Sequence, residues 1–225
     1  YESTVRGRLQ HTKGREPSDR QYCGGTIFVD GASGLVKVYH QPTLSASDTL
    51  LSKRRFEEEA AQCGIRIDTF HADNGIFKSH EWTEKLRAES QSQTLSGVGA
   101  HHQNAVAERA IQTVTQSARA MLLHVKIYWP DEFDSKLWLF ALSYATWIYN
   151  HTPKRNGLAP IDIFCGMRSS CEYLRRVRVF GSPVYVLDPR LQDGKKIPKW
   201  EPRSRRGMFL GFSPTHSTSV GLILN

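Results

Sequence analysis

The apolar run that closes residues 23–30 (Cys23-Gly-Gly-Thr-Ile-Phe-Val-Asp30) predicts a β-strand. After a turn at residues 31–34, residues 35–40 (Leu-Val-Lys-Val-Tyr-His) alternate like a second strand, so the two stretches predict a hairpin. The period then changes. From Ser45 onward Leu50, Leu51, Phe56, Ala60 and Ala61 follow helical spacing, and Gly64 stands where a helix C-terminus ends. Ser45 and Asp48 supply an N-cap and a first-turn acid. A further strand is expected over residues 65–71, closed by the turn signal Asp73-Asn74-Gly75. A short helix over residues 79–88 and a short polar strand over residues 91–95 follow.

Residues 96–100 hold two glycines and are expected to be mobile. A long helix is predicted to begin near His102. Over residues 103–125 its apolar positions Ala107, Ala110, Ile111, Val114, Ala118, Met121 and Leu122 repeat at helical spacing. Glu108 lies at the edge of that stripe. A helix over residues 134–149 is rich in Trp138, Phe140, Tyr144, Trp147 and Tyr149, a stripe best read as core packing. A short helix near residues 160–166 comes next. Residues 177–187 read as strand, kink, strand, and residues 206–212 and 220–224 as two more short strands. Residues 1–21 are polar and aperiodic, either a loop or the end of a strand. The predicted organisation is an α/β core over residues 1–165 and a small basic β module over residues 175–225.

Composition narrows the function classes. In 225 residues, 39% hydrophobic with five Trp, eight Tyr and ten Phe, there is ample material for a packed core. No run of about 18 apolar residues indicates a membrane span. The four cysteines form no Cys-x-x-Cys pair, so a zinc site is not expected and free thiols in a reducing compartment are. The chain opens at Tyr1 without Met or an apolar leader, so we expect no signal peptide and a piece of a longer protein. The net charge is +8. Residues 175–206 carry ten Lys or Arg against three acids, a net of +7 that leaves +1 for everything else. A basic cluster beside a nearly neutral body points to a polyanionic partner, with Lys195, Lys196, Arg205 and Arg206 as phosphate contacts.

Asp73 ends a predicted strand and Glu108 lies early in the long helix, with 34 residues between them. Two such carboxylates at one sheet rim suit Mg²⁺ or Mn²⁺, hard cations that take oxygen ligands. A metal pair about 3.5–4 Å apart stabilises both oxygens of a phosphodiester displacement, and this needs a third acid. Asp30, at another strand end, is one candidate; the alternative lies before Tyr1.

Five spaced motifs then make the pattern specific. His71-Ala-Asp-Asn-Gly75 and His102-Gln-Asn-Ala-Val-Ala-Glu-Arg-Ala-Ile111 are followed by Trp138-x-x-Ala141-x-x-x-Ala145-x-x-x-Tyr149-Asn150-x-x-Pro153. Val179-Phe180-Gly181-Ser-Pro-Val-Tyr185 and Gly207-Met-Phe-Leu-Gly-Phe212 complete the set in order. Over residues 23–212 the chain resembles the integrase catalytic core of copia-like LTR retrotransposons, relatives of the retroviral integrases. The resemblance implies an RNase H-like fold, a mixed five-stranded sheet with flanking helices, and an Asp, Asp, Glu triad holding Mg²⁺ or Mn²⁺. Asp73 matches the second acid and Glu108 the third, while Asn104 and Arg109 match polar residues flanking the active-site helix and are expected to contact DNA. By this alignment the first acid lies just upstream of Tyr1, which gives Asp30 a structural role, and the family's preceding zinc-binding region is not in this chain.

The chain departs from the family twice: Ala105 stands where Gly is usual, and the 34-residue spacing is one short of the commonest. The implied activity is that of a polynucleotidyl transferase joining element DNA ends to target DNA in the nucleus, as a homo-oligomer and without a membrane. Two other readings stay open. One is a different RNase H-like nuclease; the other is a truncated or decayed DNA-binding fragment without catalysis.

Overall fold

The protein is described by a computed structural model covering residues 1–7, 21–97, 104–167, 171–216 and 220–225, with the side chains of residues 171–173 left aside. The predicted hairpin forms from β2 (Tyr22–Val29) and β3 (Val36–Gln41), antiparallel and in register from Gly24↔Gln41 to Val29↔Val36. The polar N-terminal stretch supplies β1 (Glu2–Gly7), antiparallel to β2; residues 8–20 lie outside the described residues. Helix α1 (Ala46–Gln62) starts where Ser45 Oγ accepts from the Asp48 amide at 3.2 Å. It ends at Gly64, whose φ of +74° favours a residue without a Cβ.

The chain continues through β4 (Thr69–Ala72), α2 (His80–Ala88) and β5 (Ser92–Leu95), which runs parallel to β4. Then come α3 (Ala105–Tyr128), α4 (Trp138–His151) and α5 (Pro160–Cys165). Three strands flanking a short helix end the chain: β6 (Pro183–Leu187), α6 (Pro189–Gln192), β7 (Ser204–Phe212) and β8 (Gly221–Leu224), with the sheet antiparallel in the order β6-β7-β8. The succession β-β-β-α-β-α-β-α up to α3 is the connectivity of an RNase H-like α/β fold. Among the described residues, no helix is long and apolar enough to cross a membrane.

Three expectations need correction. The five strands of the core do not join into one mixed sheet: β1-β2-β3 and β4-β5 are separate ladders. A strand paired on both edges and covered on both faces is normally apolar, whereas β1 (Glu-Ser-Thr-Val-Arg-Gly) is mostly exposed and polar. A cavity of about 670 Å³, lined by Tyr1 and residues of β2 and β4, occupies the space between the two sheets.

Residues 65–71 yield a strand only from Thr69. The Ile65 amide is used by the helix end, donating to Ala60 O at 3.0 Å, and Ile67 O accepts from Gln91 Nε2 at 2.8 Å. Ile65 and Ile67 still pack inward against the core.

Residues 177–187 give one strand rather than two. The Arg178 backbone pairs with the Tyr144 hydroxyl, which donates to Arg178 O at 2.6 Å, so that stretch joins no ladder. The helix expected near His102 is described from Ala105 onward; residues 98–103, including His102 and most of the stretch expected to be mobile, lie outside the described residues. Ser96, at the near edge of that stretch, is buried and its amide donates to Ala72 O at 2.9 Å.

Burial gathers into two clusters. Phe28, Leu35, Tyr39, Phe56, Phe70, Trp82, Leu86 and Phe164 fill one between the β2-β3 hairpin, β4, α1, α2 and α5, with Phe28 and Phe56 stacked at 4.9 Å. Val114, Ala118 and Val125 of α3 meet Leu139, Phe140 and Tyr144 of α4 in the other, together with Phe180, Met208, Phe209 and Leu210. The C-terminal strands therefore share a core with α3 and α4. Trp129 Nε1 donates to Gly181 O at 2.6 Å, fastening the two parts. Gly181 has φ +82°, and a Cβ there would stand 2.6 Å from Val125 Cγ2, so both backbone angle and space require glycine. The Asn150 side chain brackets Val36, accepting from its amide at 2.9 Å and donating to its carbonyl at 2.6 Å, and so holds α4 against β3.

Candidate active site and basic surface

Parallel pairing of β4 and β5 aligns Ala72 with Leu95 and brings the following residue, Asp73, to the C-terminal rim of the strands. Ligand sites of open α/β sheets gather at such rims. Asn74 Nδ2 donates to Ser96 O at 2.6 Å and ties this turn to the end of β5. Asp73 is exposed, and its Oδ1 accepts from the Gly75 amide at 3.3 Å. Its charge also reaches the chain's first residue. Burial pushes the Tyr1 amino group down in pKa, while the Asp73 carboxylate works in the opposite direction. That amino group donates to Gly25 O at 3.0 Å.

Asp73, Asp30, Asn104 and Ala107 line the cavity between the sheets, so one rim of it joins the ends of β4 and β2 to the start of α3. Asn104 precedes α3 and makes no side-chain capping bond. Glu108 lies in the first turn of α3, exposed, one residue beyond the cavity wall at Ala107 and not itself part of the lining. Arg109 is exposed and its Nε donates to Ala105 O at 3.2 Å within its own helix. Asp30 Oδ2 accepts from the Ser33 amide at 2.7 Å and from Ser33 Oγ at 2.6 Å, which commits it to the β2-β3 turn.

Asp73 and Glu108 offer oxygen donors of the kind a hard divalent cation takes. Among the described residues no group of three or more His, Cys, Asp or Glu side chains is assembled to hold a metal ion. The described residues by themselves do not assemble a two-metal site.

The basic surface lies on the β6-β7 hairpin. Lys195, Lys196, Lys199, Arg203, Arg205 and Arg206 are all exposed. Asp188 is buried at the end of β6, where Arg190 Nε lies 3.1 Å and Arg205 Nη2 3.9 Å from its carboxylate. The Arg190 contact, with help from Arg205, holds the Asp188 carboxyl below the usual range. Arg190 also reaches Glu201 at 3.2 Å. Arg206 lies over the Trp129 ring at 4.1 Å.

Sequence reasoning did not single out the exposed rings on this hairpin, Tyr185 and Trp200. Strand alternation was the available signal for Tyr185: Pro183, Tyr185 and Leu187 are its outward positions.

No family model matches the sequence. Solved structures similar to the chain include the HTLV-2 integrase catalytic core domain in complex with magnesium, in its trimeric form, 19% identical with a TM-score of 0.46 over 64% of this chain and 85% of that one. The catalytic core domain of BIV integrase is 20% identical, with a TM-score of 0.47 over 67% and 88%. A chain of the simian T-cell lymphotropic virus intasome in complex with PP2A regulatory subunit B56 gamma is 17% identical, with a TM-score of 0.48 over 88% and 68%.

Proposed function

We propose that this chain is the catalytic core of an integrase of the retroviral-integrase superfamily, from a copia-like retrotransposon, acting as a polynucleotidyl transferase on DNA. The observation that carries the reading is the placement of Asp73 directly after β4 and of Glu108 in the first turn of α3, on the connectivity of an RNase H-like fold. Asp73 and Glu108 would hold Mg²⁺ or Mn²⁺, which supplies Lewis-acid stabilisation of the attacking and leaving oxygens. Asn104 at the cavity rim and exposed Arg109 orient the DNA end, while Lys195, Lys196, Arg205 and Arg206 hold phosphates. The first acid of the triad is proposed to precede Tyr1, on the upstream part of the strand that continues as β1. Assembly as a homo-oligomer and work in the nucleus belong to the same proposal, the latter because chromosomal DNA is there.

The test is strand transfer of an element-end oligonucleotide into target DNA by a chain extended through its upstream strand. Metal-dependent joining should appear, and Asp73→Asn or Glu108→Gln should each lower it about a thousandfold or more, the loss of several kcal/mol at the transition state. Cleavage without joining would favour a different nuclease on this fold. A second reading, a DNA-binding fragment without chemistry, is favoured by the lack of any group of three or more metal-ligating side chains among the described residues. It predicts DNA binding with no joining even after extension.

A further inference from the structure

Two large aromatic rings stand in solvent on the most basic part of the molecule. Trp200 is 89% exposed and Tyr185 73%. Both belong to the hairpin formed by β6, β7 and the segment between them, where Asp188 N donates to Arg203 O at 2.9 Å just beyond the ladder. A lone exposed apolar residue needs no explanation, but these two are set among cations. Lys199 Nζ lies 5.3 Å from the Trp200 ring centroid, and Tyr185 stands directly opposite Arg206 across the ladder. Exposed Leu187, two residues on from Tyr185, extends the same outward face of β6. The acids of the segment are largely engaged internally: Asp188 is buried under Arg190 and Arg205, and Glu201 pairs with Arg190. Lys195, Lys196 and Arg203 form no ion pair among the described residues. The hairpin therefore offers free positive charge and unstacked aromatic faces together.

We propose that the β6-β7 hairpin is a platform for single-stranded nucleic acid, with bases stacking on Trp200 and Tyr185 and phosphates held by the neighbouring lysines and arginines. The inference rests on the reading of this segment as a nucleic-acid surface and adds which form it takes. A duplex presents phosphates but keeps its base faces stacked inside, so it can use the cations and not the rings. An unpaired strand can use both, because every base has a face to stack. A negatively charged protein could satisfy the cations without needing two projecting rings.

Fluorescence anisotropy with labelled oligo-dT, oligo-U and a DNA duplex, each of about 15 nucleotides or base pairs, tests this. Trp200→Leu and Tyr185→Leu should each weaken binding of the single strands about tenfold and leave duplex binding within about twofold. Trp200→Phe and Tyr185→Phe keep a ring and should stay close to the parent protein. Both side chains are exposed, and an unchanged melting temperature confirms that the variants fold. Lys195→Ala with Lys196→Ala should weaken single strand and duplex alike. Equal losses on duplex and single strand in the Leu variants, or no loss on either, would overturn the platform while leaving a phosphate-binding surface in place. Absence of salt-dependent binding to all three ligands would instead remove the nucleic-acid reading itself, and the platform with it.

Discussion

Asp30 stands at a strand end near the cavity rim, where a third metal ligand would be convenient, yet its carboxylate is taken by Ser33. The hydrogen bonds are local, and their geometry is that of a turn in which a side chain caps the backbone two or three residues on. Replacing Asp30 with Ala should therefore cost about 1 kcal/mol in urea denaturation, the ordinary worth of such bonds. Calorimetric Mn²⁺ affinity should stay unchanged, and a clear loss would make Asp30 a ligand after all. The sequence left this choice open because a strand-end Asp looks the same whether it faces a metal or its own turn.

Lys53 was less legible still. With Glu57 four residues on, it has the spacing of a surface helix pair, but the side chain is 1% exposed, with its ammonium bridging Glu57 and Glu89 and lying 5.5 Å from the Phe70 ring centroid. Glu89 at the end of α2 and Phe70 of β4 close that pocket, and no local pattern encodes it.

At the scale of elements, helix α1 and the β2-β3 hairpin were readable because their signals are local: Ser45 as an N-cap, Gly64 as a stop, strand-like runs on either side of the turn. The misread stretches at residues 65–68 and 177–179 keep strand-like sequences but find their hydrogen-bond partners in a helix end and a tyrosine hydroxyl, which only the tertiary fold supplies. The junction of β1, β3 and α4 is of that tertiary kind. His40 on β3 has Nδ1 against the Tyr1 hydroxyl and Nε2 2.8 Å from Ser143 Oγ, and burial pushes its imidazole down to about 4.

The folded state thus resists a proton that the unfolded chain accepts near the usual value of about 6.5. Stability contributed by neutral His40 is complete above that pH and is lost as the pH falls from about 6.5 towards about 4, by at most on the order of 3 kcal/mol. Thermal melts between those limits should show the fall, and His40→Gln, which cannot charge, should flatten it. An equally steep acid limb in the variant would assign the loss to other groups.

Across the whole molecule, the α/β class and the order of elements followed from sequence, whereas the split of the sheet and the shared core of α3, α4 and β7 did not. Long-range pairing depends on what each strand buries, and the polar β1 buries little. Charge is the property that sequence conveyed best at this scale, since nearly all of the net +8 falls within residues 175–206, and the structure shows Lys195, Lys196, Arg205 and Arg206 at the surface.

A phosphate-binding surface loses affinity with salt at a slope of about 0.9 per contacted phosphate in a log–log plot. Neutralising Lys195 and Lys196 together should lower that slope by up to about 2, because neither cation is committed to a carboxylate among the described residues. Arg205 sits 3.9 Å from the buried Asp188, so part of its charge is already balanced, and Arg205→Ala should change the slope by less than either lysine does. Titrating duplex DNA at several salt concentrations with each variant separates these effects. An unchanged slope after removal of both lysines would leave the cluster as a solvated surface with no part in DNA binding.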